Sequence, residues 1–336
     1  HGKYLMPEQY PAVDDPRGFS HHQLQTNGIR LHYVEEGEGP LVILLHGFPY
    51  LWYMWRHQIR ALAAGGYRVV APDVRGFGQS ECPAEPESCD MLHCVGDLVG
   101  LMRELGESSA VVIGHDLGAW VAYAAAQMRP DLFRALAMLN TPVTPRESQR
   151  PSDTWEMLAN TTDKRFYQEY FQQREEAVAV MDADIGRTLR SIYYSISGDA
   201  PGAERWRLFI AGDENFLDTV FDPAVLPSWL SRVAMDYYAG EYARKGFAAP
   251  LSHYRARDRN WEQSAFLEGL KVQQPSLFIG GAADPAAELF MPNYDRLDSH
   301  LPNLHKKVLL EGVGHSAAEE RPQVVNDLLL EFLAQL

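Results

Sequence analysis

The sequence predicts an α/β fold, the α/β-hydrolase type of layout: a mainly parallel sheet flanked by helices, with a helical lid inserted in the middle of the chain. Three observations lead there. Up to about residue 140, short apolar strand-like runs alternate with helical stretches. From Thr141 to Gln263 the strands vanish and the chain turns helical and aromatic. From Lys271 onward strand-like runs return, each followed by a loop carrying a titratable residue.

The strand-like runs of the first part are Arg30 to Glu36, Leu41 to Leu45, Arg68 to Ala71, Ala110 to Ile113 and Ala135 to Leu139. Cys89 to Leu105 and Ala119 to Met128 read as helices, and His21-His22 as a solvated loop pair. Pro142, Pro145 and Pro151 open the lid, and turns are expected at Gly198 to Gly202 and Pro223 to Pro227. The last part reads as strand (Pro275 to Gly280), loop, strand (Lys307 to Glu311), loop, and an amphipathic helix from Gln323. The expected division is a core of residues 1–140 and 264–336, and a lid of residues 141–263.

At 336 residues the chain is long enough to bury one large core with an insertion. Its formal charge of −15 opposes binding to nucleic acid or anionic membranes, since both repel it. No apolar run approaches the roughly 20 residues of a membrane span, and the start lacks a signal-peptide core, so a cytoplasmic monomer or homodimer is expected. Cys82, Cys89 and Cys94 are odd in number and lack a Cys-x-x-Cys spacing, so free thiols are expected. His93 with Cys89 and Cys94 could suggest a metal, but the helical pattern makes these core cysteines. No phosphate loop, dinucleotide fingerprint or repeat occurs, so neither cofactor nor metal is expected.

The chemistry centres on Ser109-Ala-Val-Val-Ile-Gly-His-Asp-Leu-Gly-Ala-Trp120. A strand, a sharp turn flanked by Gly114 and Gly118, and a helix succeed one another, which is the pattern of a nucleophile elbow. Asp116 stands where such an elbow usually carries serine. An aspartate here could also simply cap the helix. The downstream residues favour the nucleophile: Asp284 comes after one later strand and His315 after the next, in the order that an acid and a histidine should take. Upstream, Leu41-Val-Ile-Leu-Leu-His-Gly-Phe-Pro49 runs from strand to turn, and the peptide N–H groups of Phe48 and Leu117 could form an oxyanion hole. Asp73 and Arg75 are expected to form a buried pair holding the loops.

His46-Gly-Phe-Pro49, Trp52 to Gln58, Gly114-His-Asp116 and Leu139-Asn-Thr-Pro142 resemble the α/β-hydrolase-fold epoxide hydrolases, in particular the hydrolase domain of soluble epoxide hydrolase. The resemblance covers almost all of residues 20–335, with no phosphatase-like domain expected before it. It implies two lid tyrosines acting as acids on the epoxide oxygen. These match Tyr167, with Tyr170 as the alternative, and Tyr254, whose register the downstream Arg-Asn-Trp supports. It also implies Trp52, Gln168 and Phe171 as substrate-binding residues. Leu117 and Ser316 occupy positions where the family often carries tryptophan, which bears on pocket shape and not on the reacting groups.

A carboxylate nucleophile attacking a saturated carbon forms an alkyl ester whose carbonyl belongs to the protein. Water can cleave it and regenerate the aspartate, whereas a serine would leave an inert ether. The aspartate elbow therefore points to epoxides or alkyl halides rather than to ordinary esters; the resemblance and the aromatic lid imply apolar epoxides, opened to vicinal diols through an alkyl-aspartate ester, with detoxification as the biological setting. His315, oriented by Asp284, would take the proton from water. Two alternatives share these residues: a haloalkane dehalogenase, and a noncatalytic small-molecule sensor. An alkoxide leaving group needs a proton, which a phenol of ordinary pKa about 10 can supply. A halide prefers weak N–H donors such as indoles, and Leu117 removes one of those.

Overall fold

A computed structural model describes residues 12–83 and 85–336. The core elements in chain order are β1 (Ser20–Thr26), β2 (Ile29–Glu36), β3 (Leu41–Leu45), α1 (Arg56–Ala64), β4 (Arg68–Pro72), α2 (Met91–Leu105), β5 (Ala110–His115), α3 (Leu117–Met128) and β6 (Phe133–Leu139). The inserted segment holds α4 (Pro151–Thr162), β7 (Lys164–Phe166), α5 (Tyr167–Tyr170), α6 (Arg174–Asp182), α7 (Ile185–Ser195), β8 (Phe209–Ala211), α8 (Arg232–Ala243), α9 (Ala248–Arg255) and α10 (Arg257–Gln263). The chain closes with β9 (Ser276–Gly281), α11 (Ala287–Asp295), α12 (Leu297–His300), β10 (Leu304–Leu310), α13 (Ala317–Glu320) and α14 (Pro322–Leu333).

Eight strands form one sheet in the order β1-β2-β4-β3-β5-β6-β9-β10. Only β2 runs against its neighbours; the pairs from β4 across to β10 are parallel. Central strands of a parallel sheet are covered on both faces, so they read as continuous apolar runs rather than alternations. Accordingly every residue of β3 and of β5 is buried. The chain passes from β3 outward to β4 and then returns to the other side of β3 as β5. That reversal opens a crevice at the carboxyl ends of β3 and β5, where ligands bind in sheets of this kind.

Three expectations need correction. His21 and His22 lie on β1 and not in a loop; the ring of His21 stacks on His32, and that of His22 on Tyr33. β1 is an edge strand with mostly exposed side chains, so it lacks the apolar alternation that marks a strand, although Asn27-Gly28 at the hairpin turn, both at positive φ, is a strong turn signal. The inserted segment is not free of strands, because β7 and β8 pair antiparallel, Phe166 opposite Phe209. Each has three residues, too short to show a period. Finally, Asp73 and Arg75 do not pair with each other: Asp73 meets His32 Nδ1 at 2.8 Å, and Arg75 grips Asp97 through both Nε and Nη2.

Candidate active site

Asp116 immediately precedes α3 with φ 53° and ψ −119°, a positive-φ conformation that is uncommon outside glycine. The turn that imposes it is packed without slack. A Cβ on Gly118 would run into the carbonyl oxygens of Leu45 and His46, and one on Gly47 would collide with the side chain of Asp116. Asp116 occupies the N-cap position of α3, yet its side chain makes no capping bond. This disposes of the helix-cap alternative. The carboxylate points across the crevice, where Oδ1 accepts a 2.9 Å hydrogen bond from Phe48 N–H.

His315 stands on the other side. Its Nε2 lies 3.4 Å from Asp116 Oδ2, and its Nδ1 lies 2.6 Å from Asp284 Oδ2. Asp284 is fixed in turn by Ala286 N–H, which donates to Oδ1 at 2.9 Å. Asp116, Asp284 and His315 therefore meet at the ends of β5, β9 and β10, in the chain order expected from the sequence.

Burial disfavours the charge on Asp116, but the neighbouring His315, helped by the Leu117 N–H, more than offsets it and holds the carboxyl below the ordinary value. His315 shows the converse. Burial disfavours the imidazolium, and the charges of Asp284 and Asp116 overcome it, raising His315 well above the usual histidine value. His115, buried against His315 O at 2.7 Å, is pushed down to about 4 by burial and so stays neutral.

Over Asp116 lies a cavity of about 40 Å³ lined by Phe48, Pro49, Tyr167, Phe171, Tyr254 and His315, among others. Tyr167 and Tyr254 sit edge to face with ring centroids 6.0 Å apart, and Gln168 Nε2 donates to the Tyr167 hydroxyl at 2.8 Å. Burial, then the charge of Asp116, raises both phenols above their usual value, so both are neutral and carry a proton to donate. Tyr170, the alternative, does not line this cavity; its hydroxyl is buried without a hydrogen-bond partner among the described residues.

The three substrate-binding candidates separate. Phe171 lines the cavity. Trp52 does not: it is fully buried behind the site, where its indole N–H donates to Tyr237 and its ring packs on Phe19 and His21. Gln168 lines a neighbouring, larger cavity and reaches the reacting centre through the Tyr167 hydroxyl. The side chains of Leu117 and Ser316 are not part of the catalytic cavity wall; Ser316 is buried and hydrogen-bonded to Tyr50.

Several contributors carry no signal in the sequence. Ile192 and Ile196 line the cavity from α7 and its C-cap; their four-residue spacing looks like any core stripe. The Ile196 carbonyl also accepts His315 N–H at 2.7 Å. Glu320 accepts from the N–H groups of Gly314, Gly198 and Ser316, and Asn140 Nδ2 donates to Gly314 O at 2.9 Å, so the histidine loop is held from three directions. Of these only Asn140 is marked, by the Leu139-Asn-Thr-Pro142 motif; nothing marks Ile196 or Glu320. Cys82, Cys89 and Cys94 carry free thiols. Among the described residues no group of three His, Cys, Asp or Glu side chains is placed to hold a metal, and no helix is long and apolar enough to cross a membrane.

An aspartate elbow with an Asp–His pair, set in a sheet of this order, defines the α/β-hydrolase fold, and the family model described as "alpha/beta hydrolase fold" matches residues 40–322. The chain is 41% identical to epoxide hydrolase A of Mycobacterium tuberculosis, over 93% of this chain and 97% of that one. It is 36% identical to epoxide hydrolase 3 of Siraitia grosvenorii, over 93% of this chain and 98% of that one. Among solved structures, an epoxide hydrolase from an endophytic Streptomyces superposes with a TM-score of 0.91 at 40% identity, covering 95% of this chain and 96% of that one. The chain belongs to the epoxide hydrolases of the α/β-hydrolase fold.

Proposed function

We propose that this chain hydrolyses an apolar epoxide to a vicinal diol, with Asp116 as nucleophile, His315 and Asp284 as the hydrolytic pair, and Tyr167 and Tyr254 as the acids. The observation that carries this reading is the facing arrangement in one cavity of an ionised carboxylate and two neutral phenols. Residues 141–263 act as the lid that brings the phenols over the core. Cytoplasmic placement and a monomer or homodimer belong to the same reading and rest on composition alone.

Oδ1 of Asp116 is already engaged by Phe48 N–H, so Oδ2 is the oxygen free to attack an epoxide carbon. As the C–O bond of the ring breaks, a tyrosine hydroxyl gives its proton to the leaving oxygen, a contribution of about 10²–10⁴-fold for a general acid. Oδ1 then becomes the carbonyl oxygen of the ester, in place beside the Phe48 N–H, with the Leu117 N–H as the second donor. Water attacks Cγ while His315 takes its proton, and the negative charge forms on Oδ1, where each such donor is worth about 10²–10³-fold. Collapse releases the diol, and the proton on His315 returns to the tyrosinate through the product or water.

His315→Gln tests this reading. Ring opening should survive and hydrolysis should lose its base, so intact mass should rise by one whole epoxide, on the peptide carrying Asp116. A 1-haloalkane giving faster adduct formation with halide release would favour the dehalogenase. Absence of any adduct together with undiminished diol formation would remove His315 from the reaction.

A further inference from the structure

Two of the three cysteines meet in the fold. Cys82 and Cys89 stand on the loop between β4 and α2, and their Sγ atoms lie 3.3 Å apart. The two differ in access. Cys82 is half-buried and open to solvent on one side, whereas Cys89, at the end of a short 3-10 turn, is 1% exposed. Neither lines the cavity over Asp116, so the reaction there leaves both thiols unused.

Their surroundings favour a thiolate on the outer sulfur. The contact with Cys89 and, after it, the charges of Arg75 and Lys245 outweigh burial and bring Cys82 down to about 7. The same contact, together with burial, pushes the Cys89 thiol up, so it keeps its proton. Both cations are fixed in place: Arg75 by Asp97 and by Ser88 O, Lys245 by its 2.6 Å hydrogen bond to Ser80 O. Cys94 gives the contrast. It is buried with Sγ 4.0 Å from His253 Nδ1, and burial raises its thiol well above the usual value. A reachable, nucleophilic sulfur beside a hidden, protonated one is the arrangement in which the first thiol takes up an oxidant and the second resolves it. The two sulfurs need to approach by little more than about 1 Å to reach bonding distance. The pair also sits against the inserted helices. His253, which precedes Tyr254 on α9, meets Arg75 O at 2.8 Å, and Arg259 of α10 meets Asp90, next to Cys89, at 2.8 Å.

We propose that Cys82 and Cys89 form a modification site for hydroperoxides and close to a disulfide within the chain. The Cys82 thiolate attacks the outer, hydrogen-bearing oxygen of the peroxide. The O–O bond breaks, the other oxygen leaves and takes up the proton that Cys82 had lost, and Cys82 becomes a sulfenic acid. Cys89 Sγ then attacks Cys82 Sγ; the S–O bond breaks, and the hydroxyl leaves as water with the Cys89 proton. Two thiols and one hydroperoxide thus give one disulfide, one alcohol and one water, the sulfurs losing the two electrons that the peroxide gains. The site stands apart from the epoxide reading and does not depend on it.

The test exposes the fully reduced protein to cumene hydroperoxide, one equivalent per chain, and then blocks the remaining thiols with iodoacetamide after unfolding. The parent should lose two hydrogens in intact mass and keep a single thiol for alkylation, that of Cys94. Cleavage after Glu85 and Glu87 should leave the Cys82 and Cys89 fragments joined until reductant is added. Cys89→Ser should stop at the Cys82 sulfenic acid, trapped by dimedone, and Cys82→Ser should leave Cys89 and Cys94 reduced, with folding checked by circular dichroism. Phenylarsine oxide, which bridges neighbouring thiols, reads the pair in the parent without any variant: it should bind once per chain before peroxide treatment and not after it. A parent that keeps all three thiols under conditions that oxidise free glutathione would overturn the proposal. So would a disulfide through Cys94 or between two chains, oxidation of Cys82 to a sulfinic acid without the link, or failure of the reduced parent to bind the arsenical.

Discussion

His315 is held unequally by two carboxylates, 2.6 Å from Asp284 and 3.4 Å from Asp116. The first is a short charge-assisted hydrogen bond that fixes the ring; the second is too long for a good hydrogen bond and leaves Nε2 free to engage a water. On the proposed mechanism the asymmetry also gives the histidine a charge that changes during turnover. In the resting protein both carboxylates stabilise the imidazolium. Were Asp116 esterified as proposed, one of them would be gone, and the histidine would shift toward the free base that hydrolysis requires.

Titration of His315 should show this directly. By NMR, His315 should titrate well above 6.5 in the resting protein. In Asp116→Asn, which imitates the uncharged ester, it should titrate lower. The sign for stability follows from the raised value: the contribution of the imidazolium is fully present below about pH 6.5 and is lost as pH rises through the folded-state pKa. The thermal midpoint of the parent should thus fall over that upper interval, and that of Asp116→Asn should fall less. Equal His315 titration in the two proteins would refute the coupling.

The lid tyrosines should substitute for each other in part. Tyr167→Phe and Tyr254→Phe should each slow ring opening moderately, and the double variant should lose most of the about 10²–10⁴-fold that general acid catalysis supplies. The losses should be non-additive, since both hydroxyls serve one oxygen. Alkylation rates in single turnover are the measurement, with folding checked by circular dichroism. A folded double variant that opens epoxides at the parent rate would exclude both phenols.

The elbow should tolerate no side chain at Gly118. In Gly118→Ala the new methyl meets the Leu45 and His46 carbonyl oxygens, so strands β3 and β5 must part or the turn must shift. Destabilisation of about 1–3 kcal/mol is expected for such overpacking, read by urea denaturation. Activity should fall further than stability, because a shifted turn also moves Asp116 away from Phe48 N–H.

The core of the candidate site was legible because each of its parts obeys a local rule. Gly114 and Gly118 mark a strand-to-helix turn with no room for side chains, and β3 and β5 are apolar throughout because both faces of the sheet are covered. The order Asp116, Asp284, His315 then comes from the strand sequence. What lies between helices was not legible. Trp52 shares the residue type of a substrate wall but faces Tyr237, and Ile192 and Ile196 share the spacing of a core stripe but face the cavity. Local pattern says which side of a helix is apolar; it does not say whether protein or a cavity will cover it. β1 was missed for a related reason, being an edge strand with polar side chains on both faces.

The covalent role of Asp116 is tested most directly by the origin of the oxygen in the diol. A single turnover in water enriched in the heavy oxygen isotope, with enzyme in excess over epoxide, should give diol of ordinary isotopic mass. The heavy oxygen should be found in the peptide carrying Asp116, because water attacks Cγ and the diol takes its new oxygen from the aspartate. Heavy oxygen in the first-turnover diol, with an unlabelled Asp116 peptide, would mean direct addition of water to the epoxide and would contradict the account.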